Sequence, residues 1–199
     1  MKNWKQWTVA VLGSLALAGC GDSKPPVDTP DTTPPPTNGG SSPVGDDDSV
    51  VQLNDNQYEV RILGTSAKKF QGAFINVDSM TVTANGTPLP VEMKSTVMDL
   101  ARTDHAFLVG LFTLPPGTDS AQVVIRLDEF GGFDGANGPS GVSGPSGALD
   151  VRTAPIRFEV TRALLTPRRH AVVQVDLSRS VVSQRAGDTL LLPSTVVAY

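Results

Sequence analysis

Chemistry in this 199-residue chain would have to come from a short roster of side chains. Two histidines are present, His105 after Thr103-Asp104 and His170 after Arg168-Arg169. Either could act as the base of a hydrolase, a reaction that needs a nucleophile on a rigid turn beside a base that a carboxylate orients. No Gly-x-Ser-x-Gly elbow occurs, and Ser140, Ser143 and Ser146 stand in a glycine-rich run expected to flex too much to hold catalytic geometry. Asp104 and His105 are adjacent, and adjacent strand residues point to opposite faces. Both histidines are therefore read as solvent-exposed residues at loop–strand junctions; no catalytic residue is assigned and the chain is not read as an enzyme. Asp128, Glu129 and Asp134 flank the start of the glycine-rich run and are the candidate calcium ligands, although they lack the alternating spacing of a calcium loop, as does Asp46-Asp47-Asp48. Zinc would need three or four His, Cys or carboxylate ligands, and the glycine motifs that cradle phosphate or a dinucleotide do not occur. No metal and no dissociable cofactor is expected.

The one cysteine, Cys20, closes the run Leu17-Ala18-Gly19-Cys20, which looks like a bacterial lipobox. Lys2 and Lys5 supply a positive start, Trp7 through Leu17 an apolar stretch, and small residues precede the thiol, the layout of a secretory signal. Residues 1–19 are thus expected to be a lipoprotein signal peptide cleaved before Cys20. The apolar stretch is shorter than the roughly 20 residues a membrane-spanning helix requires. In bacterial lipoproteins the thiol carries a diacylglycerol and the freed amine a further acyl chain such as palmitate, more than the two anchoring signals that stable attachment takes. With no second thiol a disulfide cannot form, so the domain must rely on its core. Gly21 follows the cysteine where an Asp would, by the sorting rules of enterobacterial lipoproteins, retain the protein at the inner membrane. The expected location is a lipid anchor in the cell envelope, outer membrane favoured, facing periplasm or surface.

Residues 20–50 are rich in Pro, Thr, Ser, Gly and Asp, offer little to bury and are expected to form a disordered linker. Pro34-Pro35-Pro36 stiffens one stretch of it and Asn38-Gly39-Gly40-Ser41-Ser42 loosens another. Charge is unevenly spread: residues 22–55 hold seven aspartates against Lys24, and residues 152–185 hold seven arginines against Glu159 and Asp176. Such a basic stretch could face anionic lipid or polysaccharide, but its arginines recur beside alternating apolar residues and are read mainly as outward-facing strand positions. Nucleic acid is not an expected partner, since aromatic residues do not interleave with the basic ones.

Residues 51–199 are long enough for one domain with a sizeable core, and their pattern is β. Tyr58, Val60 and Ile62 alternate with Glu59 and Arg61, a period of two. Further strands are expected at 73–77, 80–84, 90–93, 106–114, 121–127, 156–160, 171–177, 190–192 and 195–199. Asn85-Gly86, Pro115-Pro116-Gly117 and Ala186-Gly187-Asp188 mark turns, and Met98 to Ala101 is read as one helical turn. Many short strands separated by turns point to an all-β, antiparallel sandwich. The Gly-rich stretch 131–147 is expected to be a flexible surface loop that tolerates insertion; its few Gly-x-y triplets are too short for a collagen helix.

The order of Val77 to Val82 (VDSMTV), Met98-Asp99-Leu100, Leu114-Pro115-Pro116-Gly117, Gln122 to Leu127 (QVVIRL), Val173 to Val182 (VQVDLSRSVV) and Leu192-Pro193 resembles a family of bacterial lipid-anchored proteins catalogued as domain of unknown function 4382. The resemblance spans most of residues 57–199. It departs at Gly64-Thr65-Ser66-Ala67, where the family has a Thr-Asp-Ala-Pro turn, and in the glycine-rich insertion. It implies a sandwich like the carboxypeptidase-regulatory or transthyretin domains at a cell surface and carries no assigned activity. The expected function is a lipid-anchored cell-envelope module, non-enzymatic, binding a protein or glycan or serving a structural role. The alternatives are a calcium-dependent adhesion or glycan-binding domain through Asp128, Glu129 and Asp134, and a hydrolase using His105 or His170.

Overall fold

A computed structural model of the chain describes residues 51–138, 143–183 and 189–199. The segments expected to be a signal peptide (1–19) and a linker (20–50), Cys20 among them, and the turn expected at Ala186-Gly187-Asp188 lie outside the described residues. Among the described residues the fold is all-β and sandwich-like, with two short helices. One sheet has the strand order β14 (Thr195–Ala198), β11 (His170–Asp176), β1 (Gln57–Thr65), β6 (Phe107–Thr113) and β4 (Val91–Met93). The larger sheet runs β10 (Ile156–Thr161), β7 (Ser120–Leu127), β2 (Phe70–Ala84), β8 (Phe130–Gly135), β9 (Ser146–Val151), β13 (Thr189–Leu191) and β12 (Val181–Ser183), with β3 (Thr87–Leu89) and β5 (Val97–Asp99) also paired to β2. Pairing is antiparallel except for β1 with β11 and β9 with β13, which run parallel, a feature that alternation alone does not encode. Helix α1 (Arg162–Leu165) and helix α2 (Leu177–Ser180), one turn each, precede and follow β11 in the chain.

Alternation places the core. Val60 and Ile62 of β1, Ala171, Val173 and Val175 of β11, and Val123 and Ile125 of β7 join one buried cluster, while Arg61, Gln122 and Arg126 stay at or near the surface. Strand β6 is buried from Phe107 to Phe112, as its unbroken apolar run suggests. Asn85 and Gly86 take the positive φ angles of 51° and 77° that a tight hairpin turn requires, which joins β2 to β3.

Strand β2 merges two segments expected to be separate. Ala73, Ile75 and Val77 are buried in its first half, Met80, Val82 and Ala84 in its second, so the inward face changes from odd to even residues. The change is made by a bulge, since the register with β7 shifts between Val77 and Ser79 and one inserted residue moves every later side chain to the other face.

Two expectations need correction. Met98 to Ala101 is not a helical turn: Val97–Asp99 forms β5 on β2, and Asp99 stays buried because its Oδ1 accepts the backbone N–H groups of Ala73 at 2.8 Å and Ala101 at 3.0 Å. The stretch 131–147 is not one long loop, because β8 and β9 form an antiparallel pair from Phe130↔Asp150 to Asp134↔Ser146. Gly131, Gly135 and Gly144 answer to close backbone approach, a reading that glycine inside a strand also permits. At Gly131 a Cβ would lie 2.3 Å from the carbonyl oxygen of Phe74.

The basic stretch is corrected too, since two of its arginines are spent on the protein's own backbone. Arg162, at the start of α1, donates from Nε to Thr118 O (3.1 Å), from Nη1 to Asn56 Oδ1 (2.6 Å) and from Nη2 to Pro115 O (2.7 Å). Arg169, with φ of 60°, donates to the carbonyls of Leu53, Asn54 and Gln57. Together they fasten the segment entering β1, and Arg162 also holds the Pro115-Pro116-Gly117 turn.

Replacing Gly131 with Ala should destabilise the domain by about 1–3 kcal/mol, the usual range for overpacking, whereas Gly147→Ala, whose Cβ would meet Phe133 at an ordinary 3.6 Å, should melt like the parent; equal melting temperatures would contradict the close approach. Arg162→Ala should cost about 1.5–3 kcal/mol, as expected for lost charged hydrogen bonds, in denaturant unfolding, and Lys should not restore it because an ammonium does not span the same fork of carbonyls.

Candidate functional site

The bulge at Asp78 does not stand alone. The strands β7 and β8 run in succession along one edge of β2, pairing Leu127 with Val77 and Gly132 with Phe74, and they are separated by Asp128 and Glu129. Next to them β10 pairs with β7 and β9 with β8, and these two are separated by Arg152 to Pro155. Pro155 has no N–H to give to a ladder, which suits a break in pairing. Three neighbouring strand lines thus interrupt their pairing at the same level, and an open cleft of about 890 Å³ lies there.

The cleft is lined from β2 by Asp78, from the β7–β8 break by Arg126 through Phe130, and from the β9–β10 break by Asp150 through Thr153 together with Pro155. Backbone hydrogen bonds keep the break in shape: Asp128 N donates to Asn76 O at 2.9 Å, Val151 N to Glu129 O at 2.8 Å and Arg152 N to Leu191 O at 3.0 Å. Arg152 grips Asp150, with Nε and Nη2 at 2.9 and 2.8 Å from the same Oδ2. That hydrogen bond, aided by the charges of Asp150 and Glu129, holds the guanidinium above its ordinary pKa. At the rim Phe130 is 68% exposed, with its strand neighbour Asp150 on the same face. The arrangement offers acceptors, donors and an aromatic face to a solute, and it can bind by hydrogen bonding and stacking.

Of the sequence-based candidates, Asp128 and Glu129 reach this cleft and Asp134 does not. Asp134 sits on β8 opposite Ser146, four residues past Phe130, roughly 13 Å along an extended strand. The proposed calcium triad therefore does not converge, and among the described residues no group of three or more His, Cys, Asp or Glu side chains is placed to hold a metal ion. Phe130, Arg126, Asp78, Asp150 and Arg152 were not singled out by sequence, because they come from three separate segments that only the strand register brings together.

The histidines lie elsewhere and apart. His105 is buried, 8% exposed, in edge contact with Phe107 at 4.5 Å between ring centroids, which corrects the expectation of an exposed junction residue. His170 opens β11 half-buried, paired in register with Glu59. The pairing of β1 with β6 ends at Ile62 opposite Phe107, so at least three residues of β1, roughly 10 Å, separate the two levels. Glu59 is itself engaged by Arg61, whose Nε lies 2.6 Å from its carboxylate.

Compared with protein-family models, with curated proteins and with solved structures, the chain matches none. The fold and the cleft alone define its class, an all-β sandwich-like domain with an open, charge-rich cleft at a shared strand break.

His105→Ala should cost about 1–2 kcal/mol through lost ring contact and burial, while His170→Ala should leave denaturant unfolding unchanged within ~0.5 kcal/mol; the reverse order would contradict the placement of the two rings.

Proposed function

We propose that the chain is a lipid-anchored module of the cell envelope that binds a partner and does not catalyse: Cys20 carries the lipid, residues 20–50 hold the domain off the membrane, and the domain presents its cleft. The observation that carries the binding reading is the cleft itself, open, lined by both signs of charge and edged by an exposed phenyl ring. The anchor reading is supported by the Leu17-Ala18-Gly19-Cys20 run behind a positive and then apolar start. Among the described residues no helix is long and apolar enough to cross a membrane. Outer-membrane residence, facing periplasm or surface, belongs to the same reading and is supported by Gly21.

Membership of the family catalogued as domain of unknown function 4382 also belongs to this proposal. Its support is the placing of the quoted segments: the Leu-Pro-Pro-Gly turn joins β6 to β7, and VQVDLSRSVV runs through β11, α2 and into β12.

Expressed with its own signal in a bacterial host fed an alkyne fatty acid, the protein should label and sediment with membranes. Cys20→Ser should abolish the label and release the protein to the soluble fraction. Sedimentation of unlabelled Cys20→Ser protein with membranes would refute the anchor.

A further inference from the structure

Resting on the reading of the cleft as a binding site, we infer that its ligand is a neutral glycan, with Phe130 as the platform on which a sugar ring stacks and the charged walls as partners for its hydroxyls. Phe130 projects from the end of β8 beside the break, 68% exposed. Phe133, three residues further along β8, by contrast packs partly buried against the core. A phenyl face left in water beside a concave polar wall suits a ligand that is apolar on one face and polar at its edge. A pyranose ring has that character, since its axial C–H bonds meet the electron-rich face of an aromatic ring and its hydroxyls point outward in the ring plane.

Hydroxyls both donate and accept, so a site for them needs both kinds of partner. Arg126 and Arg152 donate, and carboxylates such as Asp78 and Asp128 accept, all within the one cleft. Charge selects among sugars. Four carboxylates against two guanidinium groups leave the cleft acidic, which opposes an anionic polysaccharide. The same composition argues against a protein partner, because the buried centre of a protein interface is depleted of charge, whereas six of the eleven lining residues here are charged. Two guanidinium groups, one of them gripping Asp150, also oppose a bound cation, so the binding is metal-free. At about 890 Å³ the cleft lies towards the upper end of the usual range for ligand sites, enough for more than one ring.

The test uses the full chain purified in detergent, titrated calorimetrically with cellohexaose, maltohexaose, xylohexaose and chitohexaose, in EDTA and in millimolar calcium, with reducing ends assayed after each titration. At least one hexasaccharide should bind equally in both buffers. Phe130→Ala should weaken that binding about tenfold or more, Phe130→Tyr should keep it, and both variants should melt with the parent because the ring is exposed. Binding of none of the four, binding unaffected by Phe130→Ala, or binding that needs calcium would overturn the inference. Loss of the glycan inference leaves the anchored binding module standing if Cys20-dependent labelling persists, whereas new reducing ends would overturn the non-enzymatic reading beneath both.

Discussion

The larger sheet depends on β2 being shared along its whole length. Fifteen residues run from Phe70 to Ala84 and pair on one edge with β8 and then β7, on the other with β5 and then β3. A strand that long would carry its inward face out of register with a twisting sheet. The bulge at Asp78 resets it, which is why Val77 and Met80 both reach the core. Neighbouring strands interrupt their own pairing where β2 does, at Asp128-Glu129 and at Arg152 to Pro155, and the cleft is the space so created. Core packing and the site are therefore set by one event in the backbone.

That dependence explains what the sequence disclosed. Strands with clean alternation, such as Tyr58-Val60-Ile62 or Val173-Val175, were legible because one face is buried and the other wet. The Asn85-Gly86 turn was legible through its conformational demand. Strands β8 and β9 were hidden, because Gly131, Gly132 and Gly147 contribute no side-chain periodicity, and of these only Gly131 carries the trace of a backbone passing close by. Met98 to Ala101 read as a helical turn, yet Met98 and Asp99 end strand β5, and the carboxylate of Asp99 stays buried because it accepts two backbone N–H groups. Only two cleft residues, Asp128 and Glu129, could be picked from sequence, because they adjoin in the chain; the rest meet through register.

The arginines show how far a charge count stands from a surface. Arg162 and Arg169 satisfy backbone carbonyls at the entry to β1, and Arg152 closes on Asp150, so the basic run of the sequence is not a continuous basic face. A guanidinium suits such work, since its planar fork can meet several oxygens at once. At the other end of the domain's chain, Tyr199 donates its hydroxyl to Glu159 O at 2.6 Å, and burial, with the charge of Glu159 adding to it, pushes its phenol pKa up.

The place where the chain enters the domain also fixes how the domain meets a mechanical pull. Strand β1 lies between β11 and β6, not at an edge, and Leu53, Asn54, Asn56 and Gln57 at its entry are clasped by Arg162 and Arg169. A tug on the preceding segment falls first on that clasp and then along the axis of β1. Two ladders of hydrogen bonds, one to β11 and one to β6, hold it in the sheet, where an edge strand would have one. The cleft lies in the other sheet, so the clasp at the entry to β1 and the cleft are carried by different layers.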